Sequence, residues 1–346
     1  LPNVQWMAID LRPVFPLGDS SWPHWLGAVG CLAVLVGSLC LLLRRRDGWG
    51  LVGLVLLCTA ILFSTEFVTA WLQDPFVLYR SYIWAMFLPA LLALVLLHLP
   101  RKAMVAVAFV VGMGLTGLAV ERNLTFKNAY TVWTDAAQKV DMQAPFNAFG
   151  RWRPFNNRGA YLLENLNYEQ SLQDFEKAVA LKEPLGSAQF NRGMALELLK
   201  RYPEALQAFA EAEKQGFQNA ALAYHQATAY KQTQQLEQAY QSYAKALSLQ
   251  PESALLPQIW LEQAEVAIPT GHYDAAIANY QQLLKGAPDN TRFEVGLGIA
   301  LIGKKDFAAA MQIFDASLAR RPNPPAFYGK ALAYRASGIR GLDTSR

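Results

Sequence analysis

Apolar residues are distributed in two different ways along this chain. Up to about residue 120 they come in long runs, roughly Trp25–Leu43, Trp49–Ala70, Tyr82–Leu99 and Ala103–Val120. Each run is long enough, or nearly so, for a helix to cross the hydrocarbon core of a bilayer. Trp22, Trp25, Trp49, Trp71, Tyr79, Tyr82 and Trp84 cluster at the ends of the runs, where amphipathic rings favour headgroup depth. The pattern predicts an extracytoplasmic segment over 1–22 and four transmembrane helices over 23–120. Beyond residue 120 apolar residues recur every three or four positions with polar residues between them, the mark of amphipathic helices. A junction over 121–154 carries Leu124, Tyr130, Trp133, Ala137 and Val140 at helical spacing, then breaks at Ala144-Pro145. It reads as a packing helix that caps the helices after it, or as a surface that contacts lipid or a lipid-linked ligand.

From Phe155 onward a helix-pair pattern repeats. The small residues Gly159, Gly193, Ala227, Ala264 and Gly298 follow one another at steps of 34, 34, 37 and 34. Twelve residues after each comes Ser171, Ala205, Ala239, Ala276 or Ala310, and four further on Phe175, Phe209, Tyr243, Tyr280 or Phe314. Pro184, Pro251, Pro288 and Pro322 fall near the unit edges. This register resembles the tetratricopeptide repeat, with a small residue at position 8, Ala at 20, an aromatic at 24 and Pro near 32. Small residues let two antiparallel helices approach closely, and the aromatic fills the space between one pair and the next. The three extra residues before Ala264 predict a longer turn near Leu255-Leu256-Pro257. Residues 326–337 read as a capping helix, and 338–346 as a flexible tail. The expected fold is therefore all-α: a four-helix transmembrane region followed by an α-solenoid of about five repeats over 155–337. Such repeats bind proteins, so the expected partner is a protein held in the groove.

Charge sets an expected orientation. Arg44-Arg45-Arg46-Asp47 joins the first two runs and Pro100-Arg101-Lys102 the last two, whereas the opposite side offers Asp74 with Arg80 and Glu121 with Arg122. Basic residues favour the cytoplasmic side. The expectation is an integral protein of a bacterial inner membrane with its N-terminus and repeats in the periplasm. Residues 123–346 hold 23 basic and 21 acidic side chains; without a basic stripe, no nucleic-acid partner is expected. Cys31, Cys40 and Cys58 all fall in the first two runs, which predicts buried packing cysteines and no disulfide framework. His24, His98, His225 and His272 stand at no metal-ligand spacing, and no nucleotide-binding loop or nucleophile elbow is present. No catalytic residue, metal or cofactor is expected.

A second resemblance enters at the junction. Arg122-Asn123, Trp133-Thr134-Asp135, Pro145 and Asn156-Asn157-Arg158-Gly159 resemble the passage from membrane to repeats in glycosyltransferases of the GT-C type, such as the transmembrane-and-TPR O-mannosyltransferases. The loop Asp74-Pro75-Phe76-Val77-Leu78-Tyr79-Arg80-Ser81-Tyr82 is similar to that family's late outward loop. The resemblance implies repeats that present an acceptor protein to a lipid-linked sugar. The family's acidic pair in its first outward loop has no match, because Asp10 and Asp19 are isolated among Pro13, Pro16 and Pro23. That departure, with an opening on Leu1 in an extracytoplasmic segment, makes the C-terminal portion of a larger polytopic protein the alternative to a membrane-tethered scaffold.

Two sets of residues are candidate sites. Arg80, flanked by Tyr79 and Tyr82, places a guanidinium where it reaches a lipid phosphate or anchors the interface. Glu66, an ionisable group five residues before Trp71, is either functional or a hydrated helix end. In the repeats, Asn156, Phe190 and Tyr224 occupy position 5 and are expected to line the groove, the aromatics suiting an apolar peptide. Positions 5 and 9 hold Asn156 and Ala160, Phe190 and Met194, Tyr224 and Thr228, which excludes the Lys/Asn/Arg carboxylate clamp of peptide-binding repeats. The recurring Asn157-Arg158-Gly159 and Asn191-Arg192-Gly193 are expected to bridge neighbouring repeats.

Overall fold

A computed structural model describes residues 22–71, 99–140, 142 and 150–338, with side chains outside 22–28, 31 and 62–71. Those residues form fifteen α-helices and no strand. The chain divides into two compact units, Leu1–Glu183 and Pro184–Arg346.

In the first unit, α1 (Trp22–Arg44) and α2 (Gly48–Trp71) form a tight hairpin. Gly53 lies so close to the Ser38 carbonyl that a Cβ there would fall 2.6 Å from its oxygen, and Ser38 returns its hydroxyl to the Val34 carbonyl at 2.6 Å. Elsewhere the two helices display apolar side chains, among them Val29, Leu32, Val36, Leu43, Leu51 and Ile61. Cys40 is exposed and Cys58 half-buried, so the expected burial fails for Cys40, which points away from the α1–α2 contact. Helix α3 (Arg101–Thr125) buries none of its residues. Among the described residues it is the one helix long and apolar enough to cross a membrane, with a mean hydropathy of 2.2. The first two expected spans fall within α1 and α2, and the third lies outside the described residues.

Helix α4 (Ala129–Gln138) follows a sharp turn closed by Asn128, whose side chain accepts from the Thr131 backbone N–H while the Thr131 hydroxyl engages the Asn128 backbone. Asp135 on α4 holds Arg122 at the end of α3 (3.3 Å) and Lys139 (2.6 Å). Tyr130 meets Tyr161 with ring centres 5.9 Å apart, so α4 leans on α5 (Arg153–Glu164). Helix α5 pairs with α6 (Tyr168–Ala180). Arg158 forks onto Asp174 at 2.6 and 2.7 Å, and the Ser171 hydroxyl donates to the Gly159 carbonyl at 2.9 Å. Arg158 therefore ties the two helices of its own repeat together, where the sequence had predicted a bridge to a neighbouring repeat.

The second unit stacks α7 (Ser187–Leu198), α8 (Tyr202–Lys214), α9 (Ala220–Gln232), α10 (Leu236–Ser248), α11 (Leu256–Ala267), α12 (Tyr273–Gly286), α13 (Thr291–Gly303), α14 (Phe307–Arg320) and α15 (Pro324–Ser337). Odd-numbered helices open repeats and even-numbered ones close them. Asn219, Asn290 and Asn323 cap α9, α13 and α15 through their side-chain oxygens, each such cap contributing about 1 kcal/mol. The three extra residues lengthen the loop between α10 and α11.

Every turn inside a repeat has the same form. Leu166, Lys200, Gln234, Gly271 and Lys305 have φ between 60° and 81°. The next backbone N–H reaches back to the carbonyl of Leu162, Leu196, Tyr230, Ala267 or Leu301 at 2.8–2.9 Å. This is the Schellman closure of a helix end, and it reproduces the steps of the small-residue series.

The aromatic rings hold the stack. Phe175, Phe209, Tyr243 and Phe314 are fully buried and Tyr280 nearly so. Glycine opposes phenylalanine (Gly159 with Phe175, Gly193 with Phe209, Gly298 with Phe314), and a Cβ on any of these glycines would run into the ring. Alanine stands opposite tyrosine in the other two repeats. The ring also reaches the following repeat: Tyr280 lies against Gly296, and Phe314 against Gly329. One side chain thus closes its own helix pair and seats the next.

Candidate functional site

The first helices of successive repeats in the second unit form a row, and polar side chains link α7 to α9, α9 to α11 and α11 to α13. His225 on α9 meets Glu197 on α7 at 2.8 Å. Gln258 on α11 donates to the Tyr224 hydroxyl on α9 at 2.5 Å. Lys231 on α9 donates to Glu262 at 2.6 Å and to Glu265 at 2.9 Å, both on α11. Glu265 also takes Arg292 of α13. The Tyr243 hydroxyl closes the set at 3.4 Å from Glu262. The result is a ladder of alternating charge along one face of the stack.

Partial burial opposes charge on Lys231, yet hydrogen bonds from Glu262 and Glu265 outweigh it and raise its pKa. Glu265 is likewise half-buried, and Lys231 and Arg292 hold its carboxyl below the usual range. Burial drives the Tyr243 phenol well up, and pushes Tyr280 up to about 12 with help from the Glu265 charge. Both tyrosines are neutral packing groups at any physiological pH. Among the described residues no cluster of three His, Cys, Asp or Glu side chains is arranged to hold a metal.

The expected groove residues sit deeper than a lining would. Phe190 is buried, stacked 5.0 Å from Phe217 and edge-on to His225 at 5.7 Å. Tyr224 is buried with its hydroxyl taken by Gln258, and Asn156, in the first unit, is also buried. Position 5 here builds the wall of the row, while Met194, Thr228, Lys231, Gln258, Glu265 and Arg292 keep exposed surface. The ladder residues were missed as site candidates. The available signal was their spacing, since Lys231 and Glu265 are 34 residues apart, close to the 37-residue step between these two repeats. Glu66 falls within α2, its side chain outside those described; Tyr79, Arg80 and Tyr82 lie outside the described residues.

Family models for the tetratricopeptide repeat match residues 156–221, 220–253 and 269–333. No curated protein sequence matches the chain. Among solved structures, the chain is similar to YrrB, a TPR protein described as having an unusual peptide-binding site, at 19% identity over 61% of this chain and 100% of that one, with a TM-score of 0.49. A tetratricopeptide repeat protein from Parabacteroides merdae matches at 17% identity over 54% and 73%, TM-score 0.44. MamA from Desulfovibrio magneticus matches at 15% over 49% and 93%, TM-score 0.42. Residues 156–253 and 269–333 thus carry tetratricopeptide repeats.

Proposed function

We propose that this chain is a membrane-anchored scaffold whose repeats hold a protein partner along the row of first helices. The carrying observation is that face of the second unit: stacked repeats create extended binding surfaces on one side, and here that side presents a charged ladder beside half-buried Met194, Leu261 and Ile299. A partner segment with both apolar and hydrogen-bonding side chains matches this mixture better than a bare carboxylate terminus, because Lys231 and Arg292 already have carboxylate partners.

Anchoring is supported by the exposed apolar side chains of α1, α2 and α3, such as Val29, Leu32, Leu51, Phe109 and Val110, since exposed apolar patches mark surfaces that meet lipid or another protein. In this reading four spans cross the membrane, with the basic loops near Arg45 and Arg101 cytoplasmic and the repeats periplasmic. Arg80, Tyr79, Tyr82 and Glu66 are then placed near the outer interface, close to lipid phosphate. The likeness to GT-C-type glycosyltransferases, with repeats serving a lipid-linked sugar, rests on the sequence of the junction alone.

Photo-crosslinking in native membranes tests the proposal. A photoreactive residue at Thr228 or Gln258, on the row, should capture one defined protein from carbonate-washed membranes, and the same residue at Gln241 on α10 should not. Equal capture at all three positions, or loss of the chain in the carbonate wash, would count against it.

A further inference from the structure

Helix α3 carries an exposed apolar strip that runs on past its own end. Phe109, Met113, Val120 and Leu124 follow one another at steps of four, seven and four residues, and all are exposed. Such spacing places them above one another on one face of a helix. Leu124 is 64% exposed and Phe126, in the turn that follows, 53%. Tyr130, in the first turn of α4, is exposed as well.

Helix geometry sets the depth of these residues in a bilayer. Lys102 and Glu121 bracket the uncharged stretch of α3, nineteen residues apart. With a rise of about 1.5 Å per residue the stretch spans about 29 Å, the thickness of a hydrocarbon core. A helix that fills the core with this stretch leaves Leu124, Phe126 and Tyr130 in the headgroup layer, the depth that aromatic rings favour.

The turn between α3 and α4 is a locked elbow. The Thr131 hydroxyl on α4 donates to the Thr125 carbonyl at the end of α3 at 2.7 Å, and the Phe126 backbone N–H to the Arg122 carbonyl at 2.9 Å. Asp135 on α4 holds Arg122 on α3. The frame thus satisfies its polar groups internally while its apolar side chains stay bare. Charge here favours an anion: Arg122, Lys127 and Lys139 stand against Glu121 and Asp135, one cation in excess, and Lys127 is exposed. A bilayer surface supplies both complements at this depth, acyl chains for Leu124 and Phe126 and phosphates for Lys127.

We propose that the α3–α4 elbow is a lipid-binding seat at the membrane interface, where Leu124 and Phe126 enter the acyl boundary and Lys127 pairs with lipid phosphate. This rests on the membrane-anchored reading of α1, α2 and α3. It adds a lipid contact outside the spanning helices and is independent of what the row of first helices holds.

Spin labels test the depth in the full chain, reconstituted in nanodiscs of phosphatidylcholine and phosphatidylglycerol with Cys31, Cys40 and Cys58 replaced by alanine. Single cysteines carry the label: Phe109→Cys within α3, Leu124→Cys and Phe126→Cys at the elbow, and Gln241→Cys on α10. All four positions are exposed, and circular dichroism checks that the variants remain helical. Collision with oxygen, which concentrates among acyl chains, is compared with collision with a water-soluble nickel chelate. The Phe109 label should be dominated by oxygen and the Gln241 label by nickel, with both elbow labels between them. Lys127→Glu should shift the Phe126 label toward the nickel-dominated value. Elbow labels that match Gln241 while Phe109 lies in lipid overturn the proposal and leave anchoring intact. Labels shielded from both reagents overturn it too, since protein then covers the elbow. A nickel-dominated Phe109 label overturns anchoring and the seat together, and a Phe126 label indifferent to Lys127→Glu overturns the phosphate contact.

Discussion

Lys231 Nζ lies 2.6 Å from Glu262, a residue 31 positions further along the chain and one repeat further along the stack. It also serves Glu265, so one ammonium holds two carboxylates of the next helix. Removing it leaves Glu262 and Glu265 on one face with only Arg292 to compensate. The groups are about a quarter exposed, so the cost falls between that of surface and buried pairs. Lys231→Met should destabilise the contact of α9 with α11 by about 1–2 kcal/mol. Hydrogen exchange should show the loss at those two helices and not at α14, because stability in a stack is set by neighbours.

The ladder also gives the stack a pH window. Glu265 has its pKa held below the ordinary 4.5, so its stabilisation is present above that value and is lost as pH falls through the lower, folded pKa. Lys231 has its pKa raised above 10.5, so its contribution is present below that value and is lost as pH rises through the folded pKa. Exchange protection of α11 should therefore be flat near neutrality and fall at both extremes. In Lys231→Met the acid-side loss should shrink, since a main cause of the Glu265 shift is gone.

Four of the five turns inside repeats place a residue other than glycine in the left-handed region: Leu166, Lys200, Gln234 and Lys305. A Cβ is disfavoured there by about 1–2 kcal/mol, offset in part by the larger unfolded-state entropy of glycine. Lys200→Gly and Gln234→Gly should each stabilise their repeat by about 0.5–1 kcal/mol, and Gly271→Ala should do the reverse by a similar amount. Denaturant melts of the full chain in detergent, followed by far-ultraviolet circular dichroism, check the signs.

Gly193 faces the fully buried Phe209 ring with no room for a methyl group. Alanine favours helices by about 1 kcal/mol over glycine, but here the Cβ strikes an aromatic ring with no space to retreat. Gly193→Ala should therefore be net destabilising, by about 1–2 kcal/mol. A second change, Phe209→Leu, should cost less in the Gly193→Ala background than alone, as measured by a double-mutant cycle on unfolding.

Much of the fold was legible because its causes are local. Gly159 and Phe175 are 16 residues apart, and any chain that pairs two short helices must put a small residue opposite that ring. The longer loop before α11 showed as a step of 37. The candidate site was less legible. Phe190 and Tyr224 occupy the expected register position, but Phe217 stacks over one and Gln258 engages the other. Neither neighbour is implied by the repeat pattern. Arg158 looked like a bridge between repeats because it recurs as Arg192, yet Asp174, which turns it back into its own helix pair, has no counterpart at Ala208.

By itself the sequence determined the number of repeats, the helix pairs and the residues that close them, since these follow from periodicity and from sterics within 34 residues. It also determined where long apolar runs lie before residue 120. Only the tertiary structure decided which charges meet, because Glu197 and His225, Lys231 and Glu262, or Glu265 and Arg292 become neighbours only when one repeat stacks on the next.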